Sequence, residues 1–154
     1  LRRTAFVSGR LMIDPQQSLV YRWENTAADG QLNDKLTLEE CRTLAENACY
    51  RYRPTANLPV VTDGRGTSNA RAYGEYKIGL PTWARTPAVV LHEVAHLLSP
   101  SGNAHGAEFV RVMCDLWKWH TGKDYTASAR KAGIDVASAR NLRHPVKFMV
   151  AFNS

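Results

Sequence analysis

The chain has 154 residues, 44% of them apolar and 22% charged, which is enough to build a core as one soluble domain over residues 1–154 and excludes disorder for most of the length. Its 20 Lys+Arg against 14 Asp+Glu give a formal net charge of +6, unevenly placed: residues 1–115 carry 13 against 12, and residues 116–154 carry 7 against 2. No apolar run approaches the roughly 18 residues of a membrane span, and the longest, Pro87 to Leu98, is interrupted by His92, Glu93 and His96.

The first seven residues are basic but lead into no long apolar stretch, so a secretory signal is not expected and the chain is expected in the cytoplasm. Gln17 to Glu24 reads as either a strand or a short helix, and Asp29-Gly30 as a turn. Thr37-Leu38-Glu39-Glu40 has the form of a capping box, opening a helix whose apolar positions recur at helical spacing until Pro54. Cys41 and Cys49 fall two turns apart on that helix, too far to bridge. With Cys114 they match no zinc-ribbon spacing and read as small buried thiols. Leu58 to Thr62 is a short strand ending in the turn Asp63-Gly64. Residues Ala70 to Leu80 alternate apolar and polar, predicting one half-buried strand, an edge strand.

Thr86-Pro87 supplies a cap and a first-turn proline for a helix ending near Leu98, before Ser99-Pro100-Ser101-Gly102-Asn103. A third helix places Phe109, Val110, Met113, Leu116 and Trp117 on one stripe, with Gly122 just past its end. Asp124 to Ala132 reads as a short fourth helix closed by Gly133, and Val146 to Phe152 as a strand or an irregular tail. The sum is α+β, a few strands with helices on one side. The basic residues of the tail, Arg140, Arg143 and Lys147 among them, are dispersed and read as a solvated face, with nucleic-acid contact as the alternative. The run Tyr50-Arg51-Tyr52-Arg53 suggests base stacking only weakly, because half of it falls on core positions.

The interrupted helix carries the chemistry. It is apolar almost all round, as buried helices are, so His92, Glu93 and His96 need partners inside the protein. Histidines four apart on a helix have Cβ atoms about 5–6 Å apart and can direct two ring nitrogens at one zinc ion. Glu93, one position after the first histidine, then projects beside the metal, where a base for the attacking water must stand. After the chain reversal at Ser99 to Asn103, His105 arrives as a third ligand, with Glu108 or Asp115 as substitutes. Three histidines with one open position describe a catalytic rather than a structural zinc site. His120 reads as a core or boundary histidine, and nothing marks His144 as functional.

The segment His92-Glu93-Val94-Ala95-His96 followed by His105-Gly106-Ala107-Glu108-Phe109 resembles the SprT-like zinc metalloprotease signature, HExxH then HGxxF. The stretch from Ala72 to Pro81 resembles the edge strand that precedes the active-site helix in such zincins. Asp14 to Tyr21 and Leu80 to Arg85 look like segments of short actinobacterial and phage proteins described as metallohydrolases. The resemblance covers roughly residues 14–117. It implies a zincin-like minimal metalloprotease domain, a small mixed sheet with an edge strand over an HExxH helix. His92, His96 and His105 would bind one zinc ion, Glu93 would serve as the catalytic base, and the strand around Gly74 to Tyr76 would hold a peptide or protein substrate. The cysteine-rich ribbon of longer SprT-like proteins has no counterpart here, since the sequence contains no CxxC.

The expected function is therefore a zinc-dependent hydrolase, a metallopeptidase in which Glu93 activates a zinc-bound water. The alternative is a non-catalytic zinc-containing adaptor that binds nucleic acid or protein through the basic segment 116–154. Arg71, Tyr73, Tyr76 or Tyr125 would stabilise the oxyanion, and Glu108 or Asp115 would orient a ligand histidine.

Overall fold

A computed structural model of the chain describes residues 5–7, 10–12, 14–52, 58–64, 69–73, 76–99 and 104–139. Strands β1 (Ala5–Val7) and β2 (Arg10–Met12) pair antiparallel in a two-stranded sheet. Helix α1 (Gln17–Ala27) settles the ambiguous Gln17 to Glu24 segment as helical, because Gln17, Val20 and Trp23 recur at helical spacing and are all buried. A short 3-10 turn at Gly30–Asn33 follows, with Gly30 in the left-handed region at φ +54°.

Helix α2 (Leu38–Tyr52) starts with the expected reciprocal cap. The Glu40 N–H donates to Thr37 Oγ1 at 3.0 Å and the Thr37 N–H donates to Glu40 Oε1 at 2.8 Å, so two otherwise orphaned amides are satisfied. Tyr50 and Tyr52 lie buried on this helix, which takes them out of any stacking surface. Cys41, Cys49 and Cys114 are free and buried, and burial pushes the thiols of Cys41 and Cys114 up to about 11 and about 12.

The second sheet is mixed. Strand β3 (Val60–Thr62) pairs parallel with β5 (Lys77–Gly79), and β4 (Arg71–Tyr73) pairs antiparallel with β5, in the order β3-β5-β4. The single strand expected over Ala70 to Leu80 is thus two short strands, with Tyr73 opposite Lys77. An alternating pattern does not distinguish one long strand from a tight hairpin, because a reversal that preserves parity keeps Ala72 and Ile78 paired on the same buried face. The edge character survives, transferred to β4. Behind the sheet, Gly64 at φ +69° lies so close to Pro81 that a Cβ there would meet Pro81 Cδ at 2.8 Å.

Helix α3 (Pro87–Leu98) is the centre of the molecule and packs against α2, α4 (Ala107–Thr121) and β4. Thr86 caps it and Pro87 occupies its first turn, as expected. Val90, Leu91, Val94 and Ala95 are fully buried, so its apolar surface is spent on neighbours around most of its circumference. Gly122, at φ +83°, ends α4, and the short α5 (Thr126–Lys131) closes at Gly133, φ +88°. No helix among the described residues is long and apolar enough to cross a membrane. The tail segment Val146 to Phe152, His144 and the tail's arginines from Arg140 onward lie outside the described residues.

Candidate metal centre and cleft

His92 and His96 point from one face of α3, and the loop leading into α4 brings His105 to meet them. All three are buried, at 4%, 7% and 1% exposure. His105 Nε2 lies 3.3 Å from His92 Nε2 and 3.2 Å from His96 Nε2, and the group's ligand atoms all lie within 4.8 Å of one another. Two nitrogens bound to one tetrahedral zinc at about 2.0–2.1 Å stand about 3.3–3.4 Å apart, so the spacing fits a shared ion.

The far side of two of these rings explains their orientation. His92 Nδ1 is 2.5 Å from Glu24 Oε2, and His105 Nδ1 is 2.6 Å from Asp14 Oδ2. Asp14 also accepts the His105 backbone N–H through Oδ1 at 3.1 Å, while Gln16 donates to the His105 carbonyl at 2.9 Å. The Asp14 carboxylate facing His105 Nδ1 assigns the proton to that nitrogen and leaves His105 Nε2 with its lone pair. That lone pair faces His92 Nε2 at 3.3 Å and His96 Nε2 at 3.2 Å. Three buried imidazole nitrogens converging in this way make a donor set that fits a divalent metal ion.

The two carboxylates differ in electrostatics. Burial pushes Glu24 up to about 8, against the pull of the His105 charge. Burial also raises Asp14, but its hydrogen bonds to His105 and the charge there outweigh this and hold it below the usual carboxylate range.

Phe109 floors the group. Its ring centroid lies 4.9, 4.3 and 4.8 Å from those of His92, His96 and His105, and its side chain is fully buried. Tyr21, one turn before Glu24 on α1, lays its ring on His92 at 5.7 Å and meets His105 edge-on at 5.0 Å. Aromatic rings thus pack against the imidazoles from two elements, α1 and α4.

Glu93 is 6% exposed and lies with His92 at one end of a cleft of about 370 Å³. The cleft is walled by α1, by the first turns of α3 and by Asn69 and Ala70 at the start of β4.

The structure thus brings together four of the residues singled out from sequence: His92, Glu93, His96 and His105. It leaves others elsewhere. Asp115 is bound to Arg111 at 3.1 Å, and the carboxylates that orient the histidines are Asp14 and Glu24 rather than Glu108 or Asp115. Tyr125 donates its hydroxyl to Asp29 at 2.6 Å and packs on Trp117, and Tyr76 is 37% exposed beside β5; neither lines the cleft. Arg71 does not line it either, and the Tyr73 side chain and Gly74 lie outside the described residues. His120 stands apart from the histidine group, beside Trp119 and partly buried, with burial lowering its pKa against the pull of Asp34.

Asp14 and Glu24 were not legible as site residues, because their partners are 91 and 68 positions away. The available signal was a pair of acidic residues flanking the apolar positions of α1. No family model matches the chain, and no curated protein or solved structure is significantly similar to it.

Proposed function

We propose that the protein is a zinc-dependent hydrolase of zincin-like architecture, a metallopeptidase that cleaves peptide bonds. His92, His96 and His105 would hold one zinc ion, and Glu93 would be the catalytic base. The observation that carries this reading is the convergence of three buried Nε2 atoms at 3.2–3.3 Å next to a buried glutamate that opens onto a cleft.

When bound, zinc would supply a Lewis acid that acidifies water and polarises a carbonyl oxygen. The protein's own groups do the rest. Asp14 fixes the His105 tautomer, so that this ring offers its Nε2 lone pair without reorganisation, and Glu24 holds the orientation of the His92 ring through Nδ1. Glu93 takes a proton from the attacking water and returns it to the departing amine, and its burial beside His92 keeps that proton from exchanging with solvent. A glutamate in this position has no use in a structural metal site, which favours catalysis over an adaptor role.

Strand β4 supports a peptide as substrate. Among the described residues it is an edge strand of the β3-β5-β4 sheet, and Asn69 and Ala70 lead from the cleft into it. An extended chain can add to such an edge through main-chain hydrogen bonds. The test is Glu93→Gln in the zinc-loaded protein with a casein or mixed-peptide substrate. We expect one zinc per chain retained and hydrolysis reduced by at least about a hundredfold, in the range for loss of a general base. Unchanged hydrolysis, or a wild-type protein that holds no stoichiometric metal, contradicts the reading.

A further inference from the structure

The cleft does more than expose His92 and Glu93. Ala88 precedes His92 by four positions and Val89 precedes Glu93 by four, so one face of α3 presents small apolar side chains in files that end on the two chemical residues. The opposite wall, from α1, adds Tyr21 and Ala28, and Trp83, 56% exposed, lines the cleft from the 3-10 turn before α3. Neutral polar character comes from three amides, Asn25, Asn33 and Asn69, and from Thr86, the cap of α3. The ionisable carboxyls on the lining are Glu24 and Glu93, and no lysine or arginine is among the lining residues.

We infer that this cleft is a specificity pocket that takes one large, neutral, apolar or aromatic side chain of a peptide substrate beside the bond to be cut, and rejects acidic side chains. The inference rests on the hydrolase reading for the bond-cutting half alone. A volume of about 370 Å³ lies at the small end of ligand sites, which run from about 300 to 1,000 Å³. It suits one side chain with its flanking peptide groups. Alanine and valine surfaces, with the Trp83 and Tyr21 rings, match an apolar or aromatic group, and the Asn25 amide offers a donor and an acceptor to the main chain beside it, while Asn33 donates to the Ala28 carbonyl at 2.9 Å. An acidic side chain would be desolvated beside Glu93 with no lysine or arginine among the lining residues to meet it. A basic one finds Glu24 already committed to His92.

The experiment uses zinc-loaded wild-type protein and blocked peptides in which Phe, Ala, Asp and Arg are scanned through each position. The expected result is a position where Phe exceeds Ala by at least about tenfold in kcat/KM, the scale on which apolar pockets discriminate, with Asp at background. Equal rates, or a preference for Asp or Arg, overturn the inference. Ala88→Leu narrows the cleft and should lower cleavage of the Phe peptide at least about tenfold more than that of the Ala peptide, whereas an equal loss on both contradicts it. To separate this from failure of the hydrolase reading, the same peptides are titrated into Glu93→Gln protein. Tryptophan emission is read with Trp83→Phe as the blank. Ordered binding of the Phe peptide without wild-type cleavage keeps the pocket and removes the hydrolase. A Phe peptide that neither binds nor is cleaved overturns the pocket.

Discussion

At the residue scale, the informative contacts are those behind the histidines. Asp14 and Glu24 each touch one imidazole nitrogen at 2.5–2.6 Å, and each comes from the first 25 residues, far in sequence from the ring it orients. If the three histidines hold a metal, these carboxylates set ring orientation and basicity, and their loss should be felt as affinity rather than as unfolding. Asp14→Asn and Glu24→Gln are each expected to weaken zinc binding about 10- to 100-fold in chelator competition while far-UV circular dichroism stays unchanged. Wild-type affinity in both variants would show that the contacts are incidental. Phe109 acts on the same group by shape. Truncating a buried phenylalanine costs about 3–5 kcal/mol, so its place under all three rings ties the site to the stability of the core.

At the element scale, α3 was legible because its signals are local: a cap, a first-turn proline, an apolar circumference and two histidines four apart. The capping box of α2 and the glycines closing α4 and α5 were legible for the same reason. The hairpin of β4 and β5 was not, since alternation reports which face a residue takes and says little about where the chain turns. Helix α1 was ambiguous, because its buried Gln17, Val20 and Trp23 are justified only by distant neighbours: Trp23 stacks on Trp117 at 5.5 Å and donates to Ser128 at 2.9 Å.

Just past α1, Asp29 ties the helix to the approach to α5 through Lys123 Nζ at 2.7 Å and the Tyr125 hydroxyl at 2.6 Å. Those hydrogen bonds, the Lys123 one foremost, hold its carboxyl below the usual range. A carboxylate whose native pKa is depressed adds stability above its unfolded value of about 3.9 and loses it as the pH falls through the native value. Asp29→Asn should therefore melt below wild type at pH 7, with the gap closing as the pH falls below about 4. A gap that persists at acid pH would assign the effect to packing.

At the scale of the whole molecule, the site is assembled from three separate parts of the chain: the α1 region, α3 and the start of α4. A metal at its centre would bind the folded arrangement and not the unfolded chain, so it would clamp these parts together. Zinc at about a thousand times its Kd is expected to add about 4 kcal/mol to stability, seen as a rise in Tm that a chelator reverses. His105→Ala should abolish most of that rise, and a Tm indifferent to zinc and chelator alike would argue against the clamp. The excess positive charge of residues 116–154 lies away from this assembly in sequence.

In the proposed site His92, His96 and His105 jointly coordinate one zinc ion and leave a position open. Zinc K-edge X-ray absorption on the purified, zinc-loaded protein reads this directly. The expected spectrum has four light ligands at about 2.0–2.1 Å with the outer-shell scattering of three imidazoles, reduced to two in His105→Ala. A shell containing sulfur at about 2.3 Å, or a spectrum unchanged by that substitution, would contradict it.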